Sequence, residues 1–90
     1  MNKAAPRPTS PYRLVLVEWE DSQRPLAGWG WIDELAAPDP SNCISVGYLV
    51  AENKAAINIA GTVADLDYQR HQACGIVTIP RRAIKRIMDL

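Results

Sequence analysis

The sequence contains no phenylalanine, a single histidine and only two cysteines among its 90 residues. Without phenylalanine, a hydrophobic core has to be built mainly from aliphatic side chains. Two cysteines are too few for the disulfide framework of a small secreted domain. No apolar run approaches the ~20 residues of a membrane-spanning helix, and the N-terminal stretch MNKAAPRPTSP lacks the apolar centre of a secretory signal. We therefore expect a soluble cytoplasmic protein with no membrane partner.

An excess of charge of either sign is also missing, because ten basic and ten acidic residues give a formal net charge of zero. A neutral chain lacks the positive excess of most nucleic-acid-binding domains. The charges are nevertheless unevenly placed: residues 1–45 hold four basic and six acidic side chains, and residues 46–90 hold six and four. Regions of opposite sign favour association between copies of one chain, so we expect a homo-oligomer.

Residues that carry catalytic or metal chemistry are few. Cys43, His71 and Cys74 are three potential zinc ligands, but His71-x-x-Cys74 is only half of a zinc motif and no fourth ligand is evident. The two cysteines would form a disulfide only on adjacent strands, and free thiols are the commoner state in a reducing cytosol. The two aspartates and one histidine of segment 65–71 do not make an acid–base site without a pocket. With nucleophile-elbow and phosphate-loop motifs also absent, we predict a non-enzymatic protein without metal or cofactor.

The residues that are present form a series of short β-strand patterns. Alternating and β-branched residues predict strands at 12–20, 43–52, 55–61 and 73–79, with a hairpin turn after the second. The GWGWID motif predicts a short extra strand at 28–32, followed by a helical turn from Asp33 to Ala37. The predicted core consists of eight aliphatic residues: Val15, Val17, Val46, Leu49, Ile57, Ile59, Val77 and Ile79.

These patterns predict a mostly β protein with one domain. Residues 1–11 contain three prolines and are expected to form a flexible N-terminal arm. Residues 12–90 are expected to form a single small barrel of the SH3-like or Sm-like type, with four to five antiparallel strands and a short C-terminal amphipathic helix. Gly47 and Gly75 mark positions where strands of such a barrel kink or approach another backbone.

The C-terminal segment is predicted to be that helix. Starting from Pro80, helical spacing places the apolar side chains on one face and four basic residues, Arg81, Arg82, Lys85 and Arg86, on the other. Two interpretations are open: the basic face is only solvated, or it binds a partner. Cations in the first turn of a helix and Asp89 in the last oppose its dipole. This favours a partner, either an anion or the acidic stretch 18–21 of the same or another subunit.

Trp29 and Trp31 are separated by one residue, so in a strand both side chains would lie on the same face. One interpretation is core packing in a protein that lacks phenylalanine. The other is a platform for stacking a base or a loop that recognises a protein, since the glycines beside them permit close approach. The predicted ligand- or partner-binding residues are Trp29, Trp31, Tyr48, Arg81, Arg82, Lys85 and Arg86.

Several short motifs follow one another along about residues 13–90. They are Val15-x-Val17-x-Trp19 with Asp21, Gly28-Trp29, the block CISVGYL that begins at Cys43, and Ile79-Pro80 before the basic tail. This order resembles a widespread family of small phage and prophage proteins of proteobacteria. The extra Glu20 and the connection at 21–42 depart from the family pattern. The resemblance implies a phage accessory origin and a bacterial host cytoplasm, and it implies no established activity.

The expected function is therefore binding. We expect a host-takeover or anti-defence role, in which a homo-oligomer counters or modulates a host defence or regulatory protein, or sequesters a nucleotide signal held between subunits. The alternative is an Sm-like regulator that binds RNA or DNA. The neutral net charge argues against this alternative, because much of the affinity for nucleic acids comes from contacts to phosphates.

Overall fold

The computed structural model describes residues 10–22 and 27–90 of the chain. The predicted N-terminal arm, residues 1–11, lies for the most part outside the described residues. The described part is mostly β, and the expectation of four to five antiparallel strands is confirmed with five. The strands are β1 (Leu14–Asp21), β2 (Ser41–Glu52), β3 (Ala56–Ala64), β4 (Gln72–Pro80) and β5 (Ile84–Asp89), with short 3-10 helices at Ile32–Glu34 and Arg81–Ala83.

All five strands form one antiparallel sheet in the order β4-β3-β2-β1-β5. β4 and β5 are its two edges, and no ladder joins them in the described part of the chain, so the sheet is open. In a flat sheet these edges would lie about 19 Å apart. They are connected only by the three-residue 3-10 helix Arg81–Ala83, which rises about 2 Å per residue. The sheet must therefore curl strongly.

The curl creates a small core on the inner face. Ile79 belongs to an edge strand, yet it is fully buried in one cluster with two valines of β1 and two isoleucines of β3. Burying each such side chain contributes about 1.5–3 kcal/mol. Five of the predicted core residues are confirmed, namely Val15, Val17, Ile57, Ile59 and Ile79, and Leu49 packs against them while partly buried.

The prediction was wrong for Val46 and Val77, which are both exposed. Val46 lies opposite Leu16 on the outer face of the sheet. On the inner face, β2 carries the small residues Ser45 and Gly47 opposite the two core valines of β1, and at Gly47 the β3 backbone approaches closely. A Cβ atom at Gly47 would lie 2.8 Å from the carbonyl oxygen of Ala60. The predicted role of Gly47 as a point of close backbone approach agrees with this geometry.

The prediction of a C-terminal helix was wrong. After the 3-10 helix the chain forms β5, which pairs with β1. The irregularity between Glu18 and Trp19 leaves Lys85 as an extra residue in the ladder, so Ile84 and Ile87 both pack against the core although three positions apart. A β-bulge thus produced the spacing of an amphipathic helix. Over residues 10–22 and 27–90, no helix has the length and apolar character needed to cross a membrane.

Candidate partner-binding surfaces

A loop rich in exposed apolar side chains connects β1 to β2. No strand forms at 28–32, whereas a helical turn does form in this region, as the 3-10 helix at Ile32–Glu34. Trp29 is fully exposed and Trp31 is 77% exposed, so neither packs in the core. The core-packing interpretation of these two tryptophans was wrong. We call residues 28–35 the tryptophan loop.

Two further apolar residues of the tryptophan loop, Ile32 and Leu35, are also exposed. The backbone amide of Glu34 donates a hydrogen bond to the carbonyl of Trp31 at 3.0 Å, which holds the short helical turn in place. A shallow cavity of about 290 Å³ is lined by Trp29, Gly30 and Trp31. The sequence prediction missed Ile32 and Leu35. Their signal was the apolar character of two residues that follow the tryptophans and precede Pro38.

The charge beside this loop is negative. Residues 27–40 contain three acidic side chains, Asp33, Glu34 and Asp39, and no basic one. These carboxylates repel phosphate groups and attract cationic side chains. The loop is therefore suited to a partner that combines an apolar surface with basic residues.

Three of the four basic residues of the tail form ion pairs within the chain. Arg86 contacts Glu18 at 2.8 Å and Lys85 contacts Glu20 at 3.0 Å, so two of the tail cations pair with the acidic stretch 18–21 of the same chain, which is one of the partners considered above. Arg81 pairs with Glu52 at 3.0 Å. All these pairs are solvent-accessible, where a pair contributes about 0–1 kcal/mol to stability.

The four basic residues do not form one patch. Lys85 donates a hydrogen bond to Asn42 near the start of β2, whereas Arg81 pairs with Glu52 at its end. Arg82 is exposed and has no ion pair within the residues that the structure describes. The tail therefore offers little unpaired positive charge for an external anion.

Tyr48 lies apart from the tryptophan loop, in the middle of the outer face. It is half-buried and pairs with Leu14 on one side and Ala60 on the other. Two neighbours on this face of β2, Ile44 and Val46, are 68% and 54% exposed. The seven predicted binding residues thus fall on separate surfaces, and the tryptophan loop is the most apolar and most exposed of them.

Side-chain hydrogen bonds hold the polar loop between β3 and β4. The hydroxyl of Tyr12 and Nδ1 of His71 share a hydrogen bond of 2.7 Å, and Gln72 donates one to Asp65. Cys43 and Cys74 are both free thiols on strands that are not adjacent. Across the described ranges, no group of three or more His, Cys, Asp or Glu residues is placed to hold a metal ion.

Comparison with known proteins yields no relative. No family model, curated protein or solved structure matches this chain. Function is therefore inferred from the surfaces of the chain itself, above all from the tryptophan loop.

Proposed function

We propose that this chain is a non-enzymatic accessory protein of phage or prophage origin, which binds a host component in the bacterial cytoplasm as a homo-oligomer. The observation that carries this proposal is the exposure of Trp29 and Trp31 on a loop that contributes nothing to the core. Tryptophan is enriched among the residues that dominate binding energy at protein interfaces. Clustered exposed apolar side chains on a small soluble domain mark interaction sites.

The partner that suits the tryptophan loop best is a host defence or regulatory protein. It would offer an apolar pocket for the indole rings and basic residues opposite the carboxylates of Asp33 and Glu34. A nucleotide signal is the less favoured ligand, because its phosphates would approach these carboxylates. Binding a nucleotide between subunits would rely on Arg82, the tail cation without an ion pair in the described part of the chain.

The ion pairs of the basic tail weigh against the alternative of an Sm-like regulator of RNA or DNA. Three of the four tail cations already contact carboxylates at 2.8–3.0 Å. A nucleic acid would have to displace these intramolecular partners to gain its phosphate contacts. Protein binding requires no such exchange.

We also propose that the curled sheet is a small barrel of the SH3-like or Sm-like type. Support comes from the order of the strands, in which β5 returns beside β1, and from the three-residue 3-10 helix that joins the two edge strands. Burial of Ile79 in one cluster with residues of β1 is a further indication, since it requires the β4 side of the sheet to fold over β1.

The first test compares the parent with the Trp29→Ala/Trp31→Ala double variant as tagged bait in host lysate. Any captured partner is then purified, and its affinity is measured by titration calorimetry. Because both indoles are exposed, we expect unchanged thermal stability and at least about a tenfold loss of affinity, since 1.4 kcal/mol is a factor of ten. Tyr68→Ala is the matched control, because Tyr68 is an exposed aromatic outside the loop.

Equal affinity of the double variant and the parent for that partner would contradict the assignment of the tryptophan loop. The ultraviolet absorbance of the purified parent distinguishes the ligand classes. Excess absorbance at 260 nm that nuclease removes would indicate nucleic acid, whereas excess that only extraction of the protein releases would indicate a small nucleotide. A protein partner predicts no such excess.

A further inference from the structure

The cavity of the tryptophan loop has the size of a site for one side chain. Its volume is about 290 Å³, and its lining consists of Trp29, Gly30 and Trp31. Pockets that take up a whole small molecule have volumes of roughly 300–1,000 Å³ and bury most of the ligand. The cavity of the tryptophan loop is smaller and shallow, so it suits a single side chain of a larger partner.

No side chain of the loop fills this cavity. Gly30, between the two tryptophans, has no side chain, and within the described residues the two indole rings do not stack on each other. Leu35 packs beside Gly30, because a Cβ atom at Gly30 would lie 3.2 Å from Cδ2 of Leu35, yet Leu35 is not part of the lining. The hydrogen bond from the amide of Glu34 to the carbonyl of Trp31 fixes the turn that follows the cavity.

Two independent sources of negative potential select a cation for the cavity. The face of an indole ring carries the negative part of its quadrupole and attracts a cation placed over it. Asp33 and Glu34 follow Trp31 closely, both are exposed, and neither has an ion pair within the residues that the structure describes. An anionic group would be repelled by these carboxylates, and a purely apolar group would leave them without a partner.

We propose that this cavity binds an arginine side chain of the partner protein. The proposal names the group that the tryptophan loop recognises, and it rests on the proposed function. The apolar stem of the arginine would pack on the indole rings, its planar guanidinium would stack on one of them, and its N–H groups would reach Asp33 or Glu34. Lysine fits less well, because an ammonium is more strongly hydrated and has no planar face to stack.

The first experiment is a titration of the full chain, labelled with ¹⁵N, with N-acetyl-argininamide at millimolar concentration. The indole N–H signals of Trp29 and Trp31 should shift and saturate together. Trp19 is the internal control, because it is partly buried and its Nε1 donates a hydrogen bond to Ser45 at 3.0 Å. Absence of a saturable shift for Trp29 and Trp31, or an equal shift for Trp19, would overturn the proposal.

Three further probes at equal ionic strength test the chemistry of the ligand. N-acetyl-citrullinamide has nearly the shape of the arginine probe without its charge, N-acetyl-lysinamide has the charge without the planar group, and adenosine monophosphate combines a stacking base with a phosphate. All three should bind more weakly than the arginine probe. Equal binding of the citrulline probe would show that charge is not recognised, and equal or tighter binding of either other probe would also contradict an arginine site.

The carboxylates are tested by Asp33→Asn/Glu34→Gln. Its affinity for the arginine probe should fall by up to about fivefold, as expected for exposed ion pairs, and the difference from the parent should vanish in 1 M salt, where the Debye length is ~3 Å. Asp65→Asn/Asp67→Asn is the matched control, because it removes the same charge from the loop between β3 and β4. Equal losses in the two double variants would assign the effect to net charge and refute direct contact.

The arginine site and the tryptophan loop as a whole can be refuted separately. If the arginine site is wrong, the arginine and citrulline probes act alike, while Trp29→Ala/Trp31→Ala still loses affinity for the host partner. If the assignment of the loop is wrong, that variant keeps its affinity for the host partner, whatever the probes show. Where both hold, the arginine probe should compete with the captured partner for the parent protein, and the citrulline probe should not; failure of the arginine probe to compete would overturn its role in partner binding.

Discussion

Truncating Ile79 to alanine tests the curl of the sheet. Ile79 lies near the end of the edge strand β4. In a flat sheet, nothing would cover the side chain of Ile79 on its face of the strand. In the structure it is fully buried in a cluster with Val15 and Val17 of β1. Val46 is the matched comparison, because the sequence predicted both residues to be in the core while the structure leaves Val46 54% exposed.

The expected losses of unfolding free energy differ severalfold between Ile79→Ala and Val46→Ala. Isoleucine-to-alanine changes in a core cost about 2–5 kcal/mol, and an edge strand relaxes partly around the cavity, so we expect about 2–4 kcal/mol for Ile79→Ala. A domain of this size has a free energy of unfolding of about 5–13 kcal/mol, so the loss is a large share of the total. Val46→Ala removes atoms that are already half solvated and should cost less than about 1 kcal/mol.

Urea denaturation followed by circular dichroism measures both variants, each at the same protein concentration because association stabilises the folded state. With an m-value of about 2 kcal/mol per M, the midpoint should fall by about 1–2 M for Ile79→Ala and by less than about 0.5 M for Val46→Ala. Equal shifts for the two variants would refute the curled arrangement. A change in m-value would indicate a loss of two-state behaviour and would be checked with tryptophan fluorescence.

Two further predictions concern packing and charge. Gly47→Ala should cost about 1–3 kcal/mol, because the new Cβ would meet the backbone of Ala60; Gly28→Ala, with open space around it, is the control, and similar melting temperatures would contradict the close approach. Arg86→Glu should lower stability by about 1 kcal/mol or less by facing Glu18, and this loss should largely vanish in 1 M salt. A loss that persists in high salt would show that packing of the arginine stem, and not its charge, stabilises β5.

Local alternation was sufficient to locate most of the strands. The predicted strands at 12–20, 43–52, 55–61 and 73–79 overlap β1 to β4, because each has several apolar or β-branched residues between turn residues. The C-terminal segment failed for a local reason. The extra residue Lys85 in the ladder makes two residues three positions apart share a face, and sequence spacing alone does not distinguish such a bulge from a helix.

Two features depend on tertiary structure: whether the tryptophans are buried, and whether β4 lies at the edge of the sheet. A tryptophan between glycines packs in the core when a neighbouring strand covers it, and Trp29 has none because the loop leaves the sheet after Asp21. The uncharged run from residue 72 to 79 is visible in the sequence, but it is typical of a central strand. Only the strand order, which places β4 last, shows that this uncharged strand lies at an edge of the sheet.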